Sequence, residues 1–164
     1  MPADNATDFF WPDILSFLEK RRGLLDGVVF SGGEPTLQKE LPEAIQAIRA
    51  MGFDIGLHTA GPYPERLAAV LPLTDWVGFD VKAPFAEYER ITGVPKSGEK
   101  AYASLRLVLD SGVSYQLRTT VHPALLDEAS VERLRMELKA VGGQHHVLQT
   151  FRSTGCLNEA LKEA

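Results

Sequence analysis

Five short polar segments hold most of the residues able to do chemistry in this 164-residue chain. They are Ser31-Gly32-Gly33-Glu34-Pro35, His58-Thr59-Ala60-Gly61, Asp80-Val81-Lys82, Arg118-Thr119-Thr120-Val121-His122-Pro123 and Gln149-Thr150-Phe151-Arg152. Two adjacent glycines remove side chains, so backbone amides can approach a ligand closely, and a carboxylate beside them can hold an ammonium group. The competing reading of Gly32, Gly33 and Glu34 is a tight turn whose glutamate caps the next helix. Asp80 and Lys82 are separated by one residue, so on a strand both side chains point to one face. As an exposed ion pair they would contribute only about 0–1 kcal/mol. Arg118, beside two threonines, reads either as a ligand contact or as a salt bridge at a sheet rim. His122, before a proline, reads more readily as a loop residue than as a ligand. His145 and His146 are adjacent, and neighbouring strand residues face opposite ways, so they do not suit one shared metal ion. Cys156 has no nearby His, Lys or helix start to activate it as a nucleophile.

Each polar segment ends an apolar run, and the runs alternate with amphipathic stretches. Strands are expected at 27–31, 54–58, 75–81, 114–121 and 145–150, rich in β-branched and aromatic residues. Helices are expected at 12–22, 41–51, 64–70, 100–109 and 130–141. In the second of these Leu41, Ala44, Ile45 and Ile48 fall at i, i+3, i+4 and i+7, and Gly52 supplies the stop. In the first, Ile14, Leu15, Phe17 and Leu18 share one side. Asp127 or Ser130 is placed to cap the last. Trp11 and Trp76 read as packing residues. Repeated strand–helix alternation without a linker predicts one α/β domain over 1–164 with parallel strands. About five strands are too few for a closed eight-stranded barrel, which leaves a partial (β/α) barrel or an open sheet. In either, ligands bind beyond the C-terminal ends of the strands, where all five polar segments fall.

Composition narrows the function classes. A hydrophobic content of 45% and charged content of 24% are those of ordinary soluble proteins. The formal net charge of −5, without a run of one sign, argues against a nucleic-acid or anionic-membrane surface. No apolar stretch approaches the roughly 20 residues of a membrane span. The opening residues lack the basic and apolar regions of a secretory signal, so a cytoplasmic location is expected. One cysteine rules out an internal disulfide.

Taken in order, SGGEPTLQ after VVF, then HTAG, GFDVKAP with YERITG, SYQLRTTVHP and LQTFR resemble the radical S-adenosylmethionine (SAM) superfamily. The resemblance is nearest to the activating proteins of anaerobic ribonucleotide reductases and other glycyl-radical enzymes, and it runs from Trp11 onward. It implies a partial (β/α) barrel and SAM as cofactor. It places Glu34, with Gly32 and Gly33, at the amino group of the methionine part, and Thr59 along the same pocket. The family's Thr-Asn-Gly turn has Ala60 in place of its Asn, which removes one polar contact. Asp80 and Lys82 match an Asp-x-Lys pair that in the activases serves the SAM carboxylate, its ribose and a bound monovalent cation, and Arg118 and His122 match the polar end of the next strand. The implied partner is a glycyl-radical enzyme.

The resemblance also implies a [4Fe–4S] cluster held by a Cys-x-x-x-Cys-x-x-Cys loop ahead of the GGEP helix. This chain has Cys156 alone, at the other end, and cluster ligation needs several thiolates. The expectation is therefore a core whose first βα unit is missing. It is either a fragment or a natural relative without a cluster that binds an adenosyl ligand, or it is completed by another chain. A strand deprived of its neighbour exposes an apolar edge, so a homo-oligomer or poor solubility is expected for this chain alone.

Overall fold

The computed structural model describes residues 10–152. Helix α1 (Trp11–Glu19) leads into β1 (Gly27–Phe30), and the chain continues as α2 (Leu41–Ala50), β2 (Asp54–Thr59), α3 (Pro64–Val70), β3 (Trp76–Asp80), α4 (Tyr88–Thr92), α5 (Ser97–Ser111), β4 (Ser114–Val121), α6 (Glu128–Ala140) and β5 (His146–Thr150). The strands form one sheet in the order β1-β2-β3-β4-β5, and every neighbouring pair is parallel. An order that never reverses is that of a (β/α)-barrel segment, not of a doubly wound sheet with its switch point.

The register sorts the side chains onto two faces. Ile55, Leu57, Val77, Phe79, Val81 and Leu117 alternate onto one face and are fully buried. Against them lie Leu41, Ile45 and Ile48 of α2, Leu67 and Val70 of α3, Leu105 and Val108 of α5, and Leu134 and Leu138 of α6. Each such side chain contributes about 1.5–3 kcal/mol on burial, so this layer dominates the stability of the fold. The other face carries Val29, Gly56, His58, Trp76, Gly78, Asp80, Gln116, Arg118 and Thr120, and no helix covers it among the described residues.

The local stops follow simple chemistry. Gly93 and Gly112 take left-handed conformations after α4 and α5, and Asp127 caps α6 by accepting the Ser130 N–H at 2.7 Å. Helix α4 and the 3-10 turns at 35–37, 71–73 and 85–87 do not follow from the apolar spacing, because such short elements are held by side-chain contacts. Helix α5 begins three residues before the expected Lys100. Helix α1 departs most from expectation. Of its five apolar residues Leu18 alone is buried and Leu15 is half-buried against the core, while Ile14 and Phe17 are exposed and Trp11 is 39% exposed. Val29, Leu24 and Leu25 nearby are exposed too. Strand β1 pairs with β2 only, so this apolar group has no partner layer among the described residues.

Candidate functional site

The C-terminal ends of β1 to β4 bring two polar clusters to one rim. The first is built around Glu34, just past β1. Its Oε1 accepts the Thr36 N–H at 3.1 Å, the Thr36 hydroxyl at 2.5 Å and the Thr59 hydroxyl at 2.8 Å, while Oε2 accepts the Ala60 N–H at 3.0 Å. Glu34 thus caps the 3-10 turn that follows it and also ties that turn to the end of β2. Thr59 in turn accepts the Gly61 N–H at 3.0 Å. Gly61 has φ +69°, and a Cβ there would lie 2.5 Å from that of Ser104, so the turn requires glycine. Of the two carboxylate oxygens, Oε2 keeps the spare lone-pair capacity. Gly32 and Gly33 meet nothing within 4 Å of an added Cβ, which leaves their backbone open on that side.

The second cluster joins β2, β3 and β4. Because Asp80 pairs with Arg118 in the register, their side chains share the open face. Arg118 donates from Nε and Nη2 to Asp80 Oδ1, each at 2.9 Å. Its Nη1 lies 3.0 Å from His58 Nε2, and His58 Nδ1 lies 3.2 Å from the Ser31 hydroxyl. Lys82 Nζ stands 3.6 Å from Asp80 Oδ2. The Arg118 side chain is only 13% exposed, so its pairing with Asp80 is better shielded than a surface ion pair. Burial lowers the His58 pKa, the Arg118 charge lowers it further, and Asp80 opposes both. The Lys82 N–H donates to the Tyr88 hydroxyl at 2.9 Å, which anchors the loop after β3, and burial pushes the Tyr88 pKa well up.

The other expected residues lie apart from these clusters. His122 is buried in the turn after β4, where Nδ1 accepts the Ala124 N–H at 3.1 Å and the ring meets Phe151 edge-on. His146 uses Nε2 against the Thr119 hydroxyl at 2.9 Å, on the helix-covered face, while His145 meets Tyr115. Cys156 lies outside the described residues. A groove of about 840 Å³ between α6 and β5, floored by Leu126, Val131 and Leu148, is built from other residues than these clusters. Thr36 was not singled out from the sequence, and Ser31 and His58 stood there only as the first residues of their polar segments, with no role of their own. The available signal for His58 was its place two residues past Gly56, on the strand face that Asp80 and Arg118 share.

The sequence from residue 13 to residue 147 matches the family model described as the radical SAM superfamily. The chain belongs to the radical SAM superfamily. It is 29% identical over 145 residues to a putative glycyl-radical enzyme activating enzyme of Methanocaldococcus jannaschii, covering 84% of this chain and 60% of that protein. It is 34% identical over 104 residues to the 7-carboxy-7-deazaguanine synthase of Thermococcus kodakarensis, covering 56% and 41% respectively. The chain therefore spans less than two thirds of either relative's length. A domain of pyruvate-formate lyase-activating enzyme from Bacteroides vulgatus superposes with a TM-score of 0.64 at 18% identity, over 84% of this chain and 88% of that one, which fixes the fold.

Two cofactors follow from radical SAM membership, and the residues suit them unequally. SAM carries an ammonium, a carboxylate and ribose hydroxyls. The rim offers carboxylates at Glu34 and Asp80, cations at Lys82 and Arg118, and open amides at Gly32 and Gly33, a donor set that fits. An iron–sulfur cluster does not fit, because a single cysteine cannot supply three thiolates.

Proposed function

We propose that this chain is the SAM-binding core of a radical SAM activating enzyme, whose whole form generates a glycyl radical on a partner such as an anaerobic ribonucleotide reductase in the cytoplasm. The observation that carries the reading is the convergence of Glu34 and Thr59 with Asp80, Lys82 and Arg118 on the rim of adjacent parallel strands. Bound SAM supplies the reaction with a sulfonium-activated 5′-carbon. Lys82 and the two N–H groups that Arg118 leaves unused would meet its carboxylate. Asp80 Oδ2 and the spare capacity of Glu34 Oε2 would take its ammonium or ribose hydroxyls. The Gly32 and Gly33 backbone lets the ligand approach without a side chain in the way. His122 contributes by shaping the turn beyond β4.

The electron-donating cluster lies outside what this chain's single cysteine can ligate. The purified chain, reconstituted anaerobically with iron and sulfide, is expected to form no 5′-deoxyadenosine. Product formation above the level of a contaminating-enzyme control would contradict the ligand count. A second reading keeps the SAM pocket but gives the whole protein a small-molecule substrate, as the similarity to the deazaguanine synthase suggests. Radical installation on a glycyl-radical enzyme, scored by its electron spin resonance signal with the full-length protein, separates the two.

The exposed Val29, Leu24, Leu25 and Phe17 beside the free edge of β1 support association there, with another copy as the occupant when the chain is alone. Val29→Lys is expected to lower the apparent mass in light scattering at high concentration. A monomeric parent chain would contradict the association.

A further inference from the structure

The two rim clusters are joined through one imidazole. A guanidinium can only donate, so His58 Nε2, 3.0 Å from Arg118 Nη1, must be the acceptor. The ring is then neutral with its proton on Nδ1, and that N–H donates to the Ser31 hydroxyl 3.2 Å away. Ser31 opens the turn that carries Gly32, Gly33 and Glu34. Arg118 is at the same time gripped by Asp80. The ring is held in place from behind as well. It meets Trp76 edge-on at 5.5 Å, and Gly78 beneath it leaves the room: a Cβ there would lie 2.7 Å from His58 Cδ2 and 2.7 Å from the Trp76 indole.

We propose that His58 is a positioning residue that, as the neutral Nδ1–H tautomer, couples the Ser31–Glu34 turn to the Arg118–Asp80 pair. The charged and titratable groups facing it are Arg118 from β4, Asp80 from β3 and Lys82 beyond it, with Ser31 and Trp76 as its uncharged neighbours. A proton added to Nε2 sets imidazolium against guanidinium, breaks the Arg118 contact and frees the turn. The consequence for ligand affinity rests on the SAM-pocket reading; the coupling itself does not. Acidification should therefore weaken SAM binding by up to about tenfold per pH unit once His58 titrates.

The test is nitrogen-15 nuclear magnetic resonance of the His58 ring and of the Ser31–Glu34 amides, across pH and without ligand. The expected result is an Nδ1–H tautomer, with the turn amides moving at the same midpoint as the ring. Arg118→Gln should raise that midpoint. His58→Gln, whose amide can still accept from Arg118, should abolish the pH response of the turn while recovering most of its order. Gly78→Ala should displace the ring and shift the turn amides without touching a titratable group. An Nε2–H tautomer, turn amides that ignore the His58 titration, or a midpoint unmoved in Arg118→Gln would overturn the proposal. SAM titrations on the same samples separate the two claims. Coupling present with no SAM binding at neutral pH counts against the pocket and leaves the coupling supported.

Discussion

Glu34 accepts hydrogen bonds from Thr36, Thr59 and Ala60. Thr36 and Thr59 are almost fully buried, so removing their acceptor strands polar groups away from water. Glu34→Ala should cost about 2–3 kcal/mol of stability, since each unsatisfied buried donor costs about 1–3 kcal/mol. Urea denaturation checks this through a lower midpoint at unchanged slope. An Ala variant as stable as the parent would show that the clasp carries no weight. Glu34→Gln keeps one carbonyl oxygen but turns an amide against donors, so it should fall between the two. At this scale the sequence was partly legible. Asp80 and Lys82 were readable as one face from their spacing alone. The partnership of Arg118 with Asp80 was not, because it depends on the β3–β4 register, and the choice between rim salt bridge and ligand contact stayed open. The structure shows the salt bridge and leaves two guanidinium N–H groups for a ligand. Glu34 likewise proved to be the cap that its turn context suggested, with a second attachment to β2 that no local pattern encodes.

Strands and long helices were legible because apolar period and glycine stops agree there. Strand β4 and helix α3 have the expected bounds, and the other long elements shift by one to three residues at their ends. Helix α1 was misleading: Leu15 and Leu18 reach the core but Ile14 and Phe17 of the same apolar side are exposed, and period alone cannot say what a face packs against. Helix α5 offers a test in which packing and propensity oppose each other. Gly98 sits in its first turn, where Ala would ordinarily gain about 1 kcal/mol. A Cβ there would overlap the Phe85 carbonyl oxygen, so the 85–87 turn must move or the helix start must unwind. Gly98→Ala is expected to destabilise by about 1–3 kcal/mol despite the propensity gain. A rise in melting temperature would show that the helix start yields at no cost.

Over the whole molecule, protons couple to folding in two windows. His58 and His146 are both held below their ordinary 6.5, chiefly by burial, and Arg118 and Arg135 add to this respectively. The unfolded chain binds those protons more readily. The stability is fully present above pH 6.5 and drains as pH falls from there through the lowered folded values. A second loss follows at lower pH. Hydrogen bonds from Arg133 and Arg90 hold Glu87 below its ordinary 4.5. Burial alone would raise Asp75, but the Ile55 N–H and Arg49 outweigh it and hold it below 3.8. Their contribution is complete above the ordinary carboxylate values and is lost as pH falls through the folded ones. Urea midpoints measured from pH 8 to pH 3 should show a first decline below about 6.5 and a steeper one below about 4. His58→Gln should reduce the first decline alone; an unchanged profile would remove His58 from this account.

The central claim is that the rim of β1 to β4 is a SAM pocket, and an amide-resolved titration of the chain with SAM tests it most directly. Binding should be weak, because chelation of the methionine end by a cluster is not available to this chain. The amides of Gly32, Gly33, Ala60, Gly61 and Lys82 should shift together with one saturating affinity, and Asp80→Asn should weaken that affinity by about tenfold or more, the loss of a charged hydrogen bond. Shifts confined to the groove between α6 and β5, or none at millimolar SAM, would contradict it.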